Sequence, residues 1–129
     1  MTSTTTAPNH TQTVDTYLSM WNQEDASARA ATIASAWAED GRYVDPLQEA
    51  RGYDALSQMV AGIHTQFPGH RFRRTSEVDA HHEQLRFGWE LVAPDGSVTV
   101  AGVDVGTLAN DGRLAVIAGF FGPLPELAG

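Results

Sequence analysis

The sequence predicts an α+β domain, with three N-terminal helices packed in a curved antiparallel sheet. Two observations carry this. Up to about residue 67 the apolar residues recur with the period of a helix face, and after Gly69 the pattern turns strand-like, with short turns between stretches. Helices followed by a meander, with no alternation of strand and helix, call for an antiparallel sheet wrapped on helices.

The first helix is read over 13–22, where Val14, Tyr17, Leu18 and Trp21 fall on one face. A second runs from about 25 to 39, with Ala26, Ala30, Ile33, Ala34 and Trp37 in its stripe and Gly41 as a left-handed stop. Residues 42–46 are extended, because a residue before proline avoids helical geometry. The third helix carries Leu56, Met59, Val60, Ile63 and Phe67. Strands follow at 70–78, 82–93, 98–109 and 113–122, with Asp95-Gly96 and Asp111-Gly112 in two of the turns.

Composition narrows the function classes. A chain of 129 residues, 42% hydrophobic, suits one domain with a real core. A formal net charge of −8 argues against nucleic acid and anionic membrane surfaces as partners; "HRFRR" (70–74) is only a local basic cluster. The absence of cysteine excludes disulfides and thiolate chemistry. Residues 1–11 are polar and Thr-rich, without the apolar core of a signal peptide, and read as a disordered tail ahead of a domain over 12–129. No run approaches transmembrane length, so a cytoplasmic protein is expected.

The stretch "AGVDVG" (101–106) sets a carboxylate inside an apolar strand, where aspartate is disfavoured and burial of its charge is costly. Two hairpin registers are open. Two-residue type I′ turns put Asp104 opposite Phe87 and Gly119, on the face of Leu85, Trp89, Leu91, Ile117 and Phe121. Three-residue loops with a glycine bulge put it opposite Arg86, toward solvent; Pro94 before Asp95 suits that turn type. A one-residue slip separates the two readings and reverses every side chain.

Other candidates have structural readings beside functional ones. Tyr17 lies in an apolar stripe and serves equally as a core tyrosine, and Asp45 before Pro46 serves as a turn residue or a base. Trp21 and Trp37 read as core, and His64 as a surface residue. Adjacent His81 and His82 point apart and make a poor metal pair, so no metal is expected. The outer sheet face of the first register, with Val103, Val105, Val116 and Phe120, is an apolar patch suited to burial in a homodimer.

Three stretches, "TYLSMWNQED" (16–25), "AEDGRYVDPLQEARG" (38–52) and "GVDVGTLANDGRLAVIAGFFG" (102–122), resemble the SnoaL-like and ketosteroid isomerase-like family of the nuclear transport factor two-like superfamily. The likeness spans roughly residues 12–122 and implies a cone-shaped pocket between sheet and helices, hence the first register. It matches Tyr17 to the family's active-site tyrosine, Asp45 to the general base and Asp104 to the acid that donates to the oxyanion. Ketosteroid isomerases keep such an acid protonated in an apolar site. Phe87, Trp89, Ile117, Phe121 and Met59 are then expected to bind substrate. Val60 stands where the isomerases place a supporting tyrosine, and Trp89 replaces a smaller residue, so a steroid is not expected. The implied activity is cofactor-independent acid–base catalysis on a small apolar or aromatic carbonyl compound, of isomerase, polyketide cyclase or dehydratase type. The alternatives are a non-catalytic small-molecule binding or interaction domain, and an epoxide hydrolase, which requires an arginine such as Arg86 between two aspartates.

Overall fold

The computed structural model describes residues 9–128, in the order α1 (His10–Asn22), α2 (Ala26–Ala36), β1 (Trp37–Val44), β2 (Glu49–Arg51), α3 (Tyr53–Gln66), β3 (Arg71–Arg74), β4 (Asp79–His81), β5 (Gln84–Val92), β6 (Val98–Leu108) and β7 (Leu114–Phe121). Helix α1 starts inside the expected tail, because Asn9 caps it: its side-chain oxygen accepts from the Gln12 amide at 3.0 Å. The first eight residues of that tail lie outside the described residues. Asp25 caps α2 in the same way, accepting from Ala28 N at 2.8 Å.

Helix α2 ends at Ala36, earlier than expected, and the chain enters β1 directly at Trp37. Gly41 lies within that strand and has no left-handed backbone. It is not a helix stop: a side chain at 41 would run into the Trp37 indole. The expected strand over 70–78 is cut to β3 alone, and β4 forms at 79–81 where a turn was expected; the two pair with opposite halves of β5. Between them Thr75 and Ser76 cross over Gly88, which gives them room by lacking a side chain.

The sheet runs β2-β1-β7-β6-β5-β3, with β4 beside β5, and it is mixed where an antiparallel sheet was expected. Strands β1 and β7 pair in parallel, Tyr43 beside Ile117. Strand β2 returns antiparallel on one edge of β1, which leaves the other edge for the last strand of the chain.

Both hairpins combine the two open readings. Gly96 N donates to Ala93 O at 2.9 Å, Ala93 N donates to Ser97 O at 2.8 Å, and Gly96 has φ +89°. That is a three-residue loop with a glycine bulge. Asn110-Asp111-Gly112 repeats it, with Gly112 at φ +86°. Each hairpin then carries a second bulge. Val98 pairs with Val92 but Val100 with Leu91, leaving Thr99 extra in β6. Leu114 pairs with Leu108 but Val116 with Thr107, leaving Ala115 extra in β7. The extra residues restore the register of two-residue turns, so Asp104 faces Phe87 and Gly119.

The helices bury Val14, Tyr17, Trp21, Ile33, Leu56 and Val60 against Leu85, Phe87, Trp89, Leu114 and Ile117 of the sheet. Each such side chain contributes about 1.5–3 kcal/mol by leaving water. Along β5 the burial alternates, so Arg86 and Glu90 face outward, Arg86 paired with Asp79 at 2.8 Å. No helix among the described residues is long and apolar enough to cross a membrane.

Candidate functional site

The hairpin registers place Asp104 inward, in a row with Phe87 on β5 and Gly119 on β7. Asp104 is only 3% exposed. The Tyr17 hydroxyl of α1 donates to its Oδ2 at 2.8 Å; its Oδ1 has no partner within hydrogen-bond distance, and neither has the buried Trp89 indole N–H. Burial pushes the Asp104 carboxyl up to about 7; the nearby Asp45 charge adds to the rise, while the Tyr17 hydroxyl and the Trp89 indole N–H oppose it. Asp104 is therefore a carboxylic acid that holds its proton toward neutral pH. Tyr17, packed edge-on against Trp37 and Phe87, is raised well above the usual phenol range by burial first and by Asp104 second, and it stays a donor.

Asp45 follows the last residue of β1, where Pro46 turns the chain. Its Oδ1 accepts from the amides of Leu47 at 2.8 Å and Gln48 at 3.1 Å. Its Oδ2 accepts from the Tyr43 hydroxyl at 2.6 Å. Tyr43 stands two residues earlier, which puts both side chains on the same face. Burial, then the Asp104 and Asp45 carboxylates, raise the Tyr43 phenol far above its ordinary range, so it too keeps its proton. A Cβ on Gly119 would stand 2.9 Å from Asp104 Oδ1, 3.2 Å from Tyr43 Oη and 3.3 Å from Asp45 Cβ. The three side chains therefore converge over one residue, and a side chain there would press on Asp104 Oδ1 and crowd Tyr43 Oη.

This polar corner opens on an apolar cavity of about 350 Å³ between the helices and the sheet. Trp21, Ile63 and Gln66 come from the helices, Phe67 from the end of α3, and Phe72, Trp89, Leu91, Val100 and Phe121 from the sheet; Tyr43, Asp45, Leu47 and Gln48 close the wall. The volume falls at the low end for small-molecule pockets, and an apolar wall with a few convergent polar groups is their usual make-up.

Of the residues expected to form the site, Asp45, Trp89 and Phe121 stand on the cavity wall. Tyr17 and Asp104 lie beneath it, next to the corner. Phe87, Ile117 and Met59, expected to bind substrate, do not reach the wall and are buried in the core. Strand alternation gave Phe87 and Ile117 the correct face, but the first helix covers that part of the face: the Tyr17 ring lies 6.0 Å from that of Phe87. Trp21, read as core, is buried and also lines the cavity. His64, read as a surface residue, is half-buried, with Nε2 at 2.6 Å from the Trp21 carbonyl. His81 and His82 are exposed at the β4–β5 turn, and no cluster of three or more potential ligands for a metal occurs among the described residues.

Sequence reasoning missed Tyr43 and the importance of Gly119. Both had a signal. Tyr43 is at i−2 from Asp45 on an extended segment, and the first register already set Gly119 opposite Asp104.

The SnoaL-like domain model matches residues 14–117. A SnoaL-like family protein from Agrobacterium tumefaciens, for which an isomerase activity has been suggested, is 38% identical, with 88% of this chain and 97% of that one covered at a TM-score of 0.84. Two more distant structures share the fold. A nuclear transport factor two-like protein of unknown function from Exiguobacterium is 24% identical, covering 87% and 99% at a TM-score of 0.68. A suggested SnoaL-like polyketide cyclase from Jannaschia is 18% identical, covering 92% and 91% at 0.65. No curated protein matches the sequence.

Proposed function

Because the chain belongs to the SnoaL-like domain family, we propose that it is an acid–base enzyme acting on a small apolar carbonyl compound, as an isomerase, polyketide cyclase or dehydratase. One observation carries the reading. A hydrogen-bonded carboxylate, Asp45, stands on the wall of an apolar cavity, and a buried acid with a free oxygen, Asp104, lies just beneath that wall, the two side chains flanking Gly119.

Asp45 is the base and takes a proton from a carbon next to the ligand carbonyl. The C–H electron pair becomes a carbon–carbon π bond and the carbonyl π pair moves onto oxygen, toward which Asp104 presents the O–H on Oδ1. Tyr17 holds Asp104 in place from the other oxygen. Return of the proton to a different carbon gives an isomer; attack of the enolate on a second carbonyl closes a ring. The compact aromatic wall selects a ligand of small planar rings.

The epoxide hydrolase reading needs an arginine at the aspartates, and Arg86 points outward to Asp79. Ultraviolet absorbance tests the acid–base reading with 3-cyclohexen-1-one, whose double bond moves into conjugation on isomerisation. Asp45→Asn should abolish turnover, and Asp104→Leu should lower it about 10²–10³-fold, the loss expected for one oxyanion donor. Full activity in Asp45→Asn would remove Asp45 from the mechanism.

A further inference from the structure

Tyr43 is the hydroxyl of the wall that is bonded to the base, and the acid–base scheme leaves it unused. It is 4% exposed, its hydroxyl donates to Asp45 Oδ2 at 2.6 Å, and its Oη shares the space over Gly119 with Asp104 Oδ1. We propose that Tyr43 is a catalytic donor that follows the negative charge, from Asp45 before proton transfer to the ligand oxygen after it. This rests on the assignment of Asp45 as base.

The geometry leaves one carboxylate oxygen open to the proton. Asp45 Oδ1 already accepts two backbone N–H groups, whereas Oδ2 accepts only the Tyr43 hydroxyl and keeps a lone pair for the incoming proton. In the step, the C–H bond breaks and its proton bonds to Oδ2. Its electron pair becomes the new carbon–carbon π bond, and the carbonyl π pair goes onto oxygen. Asp45 is then neutral and a weaker acceptor, since hydrogen bonds to an ionised group are roughly twice as strong as neutral ones. The charge now sits on the ligand oxygen at the same corner, and the Tyr43 O–H turns to it.

A bond that forms only as charge develops stabilises the transition state and not the ground state, which is what accelerates the chemical step. Tyr43 is suited to this because it does not ionise itself. The charged or titratable groups facing it are Asp45 beside its own strand, Asp104 on β6 and Tyr17 on α1, and there is no cation among them to draw off its proton. Gly119 is part of the device: a side chain beneath them would push Asp104 Oδ1 and Tyr43 Oη out of their shared corner.

The test is a binding cycle with 2-naphthol, a planar apolar probe carrying one oxygen, titrated by its fluorescence. Asp45→Asn imitates the protonated base, frees the Tyr43 hydroxyl, and is expected to bind the probe roughly tenfold tighter than the wild type. Adding Tyr43→Phe should cancel that gain, while Tyr43→Phe alone should change affinity little. Thermal melts of all four proteins report on folding. A gain that survives in the double variant, or no gain in Asp45→Asn, overturns the role of Tyr43. Either result is distinct from failure of the base assignment, which shows instead as undiminished 3-cyclohexen-1-one turnover in Asp45→Asn.

Discussion

Replacing Asp104 by asparagine should change how stability depends on pH more than stability at any one pH. In the folded protein its carboxyl is raised from the ordinary 3.8 to about 7, chiefly by burial. Below pH 3.8 both the folded and unfolded forms of the group are protonated. As pH rises toward 7 the unfolded chain gives up the proton while the folded one holds it, so stability falls, and above 7 the loss is constant. A rise of this size corresponds to about 4 kcal/mol at 1.36 kcal/mol per unit. Asparagine cannot ionise, keeps an oxygen for the Tyr17 hydroxyl, and places an amide where Oδ1 has no partner, at a pH-independent cost of about 1–3 kcal/mol. Urea unfolding of both proteins from pH 4 to 8.5 checks this. The exposed Asp95 and Asp111, whose carboxyls are lowered by hydrogen bonds to Ser97 and to Arg113, contribute equally to both and cancel in the difference. The variant should gain on the wild type by about 4 kcal/mol between acid and pH 8. Parallel curves would mean that Asp104 is not a buried neutral acid.

Tyr17→Phe removes a donor that favours the charged form of Asp104, so the pH at which stability stops falling should move upward, readable in the same titrations. Gly102→Ala should destabilise by about 1–3 kcal/mol, because its Cβ would press on the Phe120 carbonyl and the Trp89 ring; thermal melts measure this. Asp25→Ala should cost about 1 kcal/mol through the lost cap of α2, seen in urea unfolding. Val103, Val105 and Phe120 are all exposed on the outer sheet face, so the chain should sediment as a dimer at micromolar concentration, and Phe120→Glu should sediment as a monomer.

The burial of Asp104 was legible in the sequence, but by a route the sequence did not specify. The turn residues Pro94, Asp95 and Gly96 correctly favour a bulged loop, which by itself points Asp104 at solvent. Burial of Leu85, Phe87 and Trp89 requires the opposite register. Thr99 and Ala115 reconcile the two by one extra residue each, and nothing in their identity marks a bulge. The parallel pairing of β1 with β7 was hidden because an apolar period carries no strand direction. Gly41 followed a helix-end pattern, yet its cause is the Trp37 ring, a contact made only once the strand forms. The three matched positions Tyr17, Asp45 and Asp104 came from family likeness. The meeting of Asp45 and Asp104 beside Gly119, and the place of Tyr43 between them, depend on β1 pairing with the distant β6–β7 hairpin.

Deuterium uptake tests the central claim most directly, because it needs no knowledge of the product. Small cyclic ketones incubated with the protein in D₂O exchange the hydrogens next to their carbonyl only if a base removes them, and proton NMR follows the loss. The expected result is exchange catalysed by the wild type and reduced to the uncatalysed rate in Asp45→Asn. Exchange at equal rates in the two proteins would contradict acid–base catalysis at this corner.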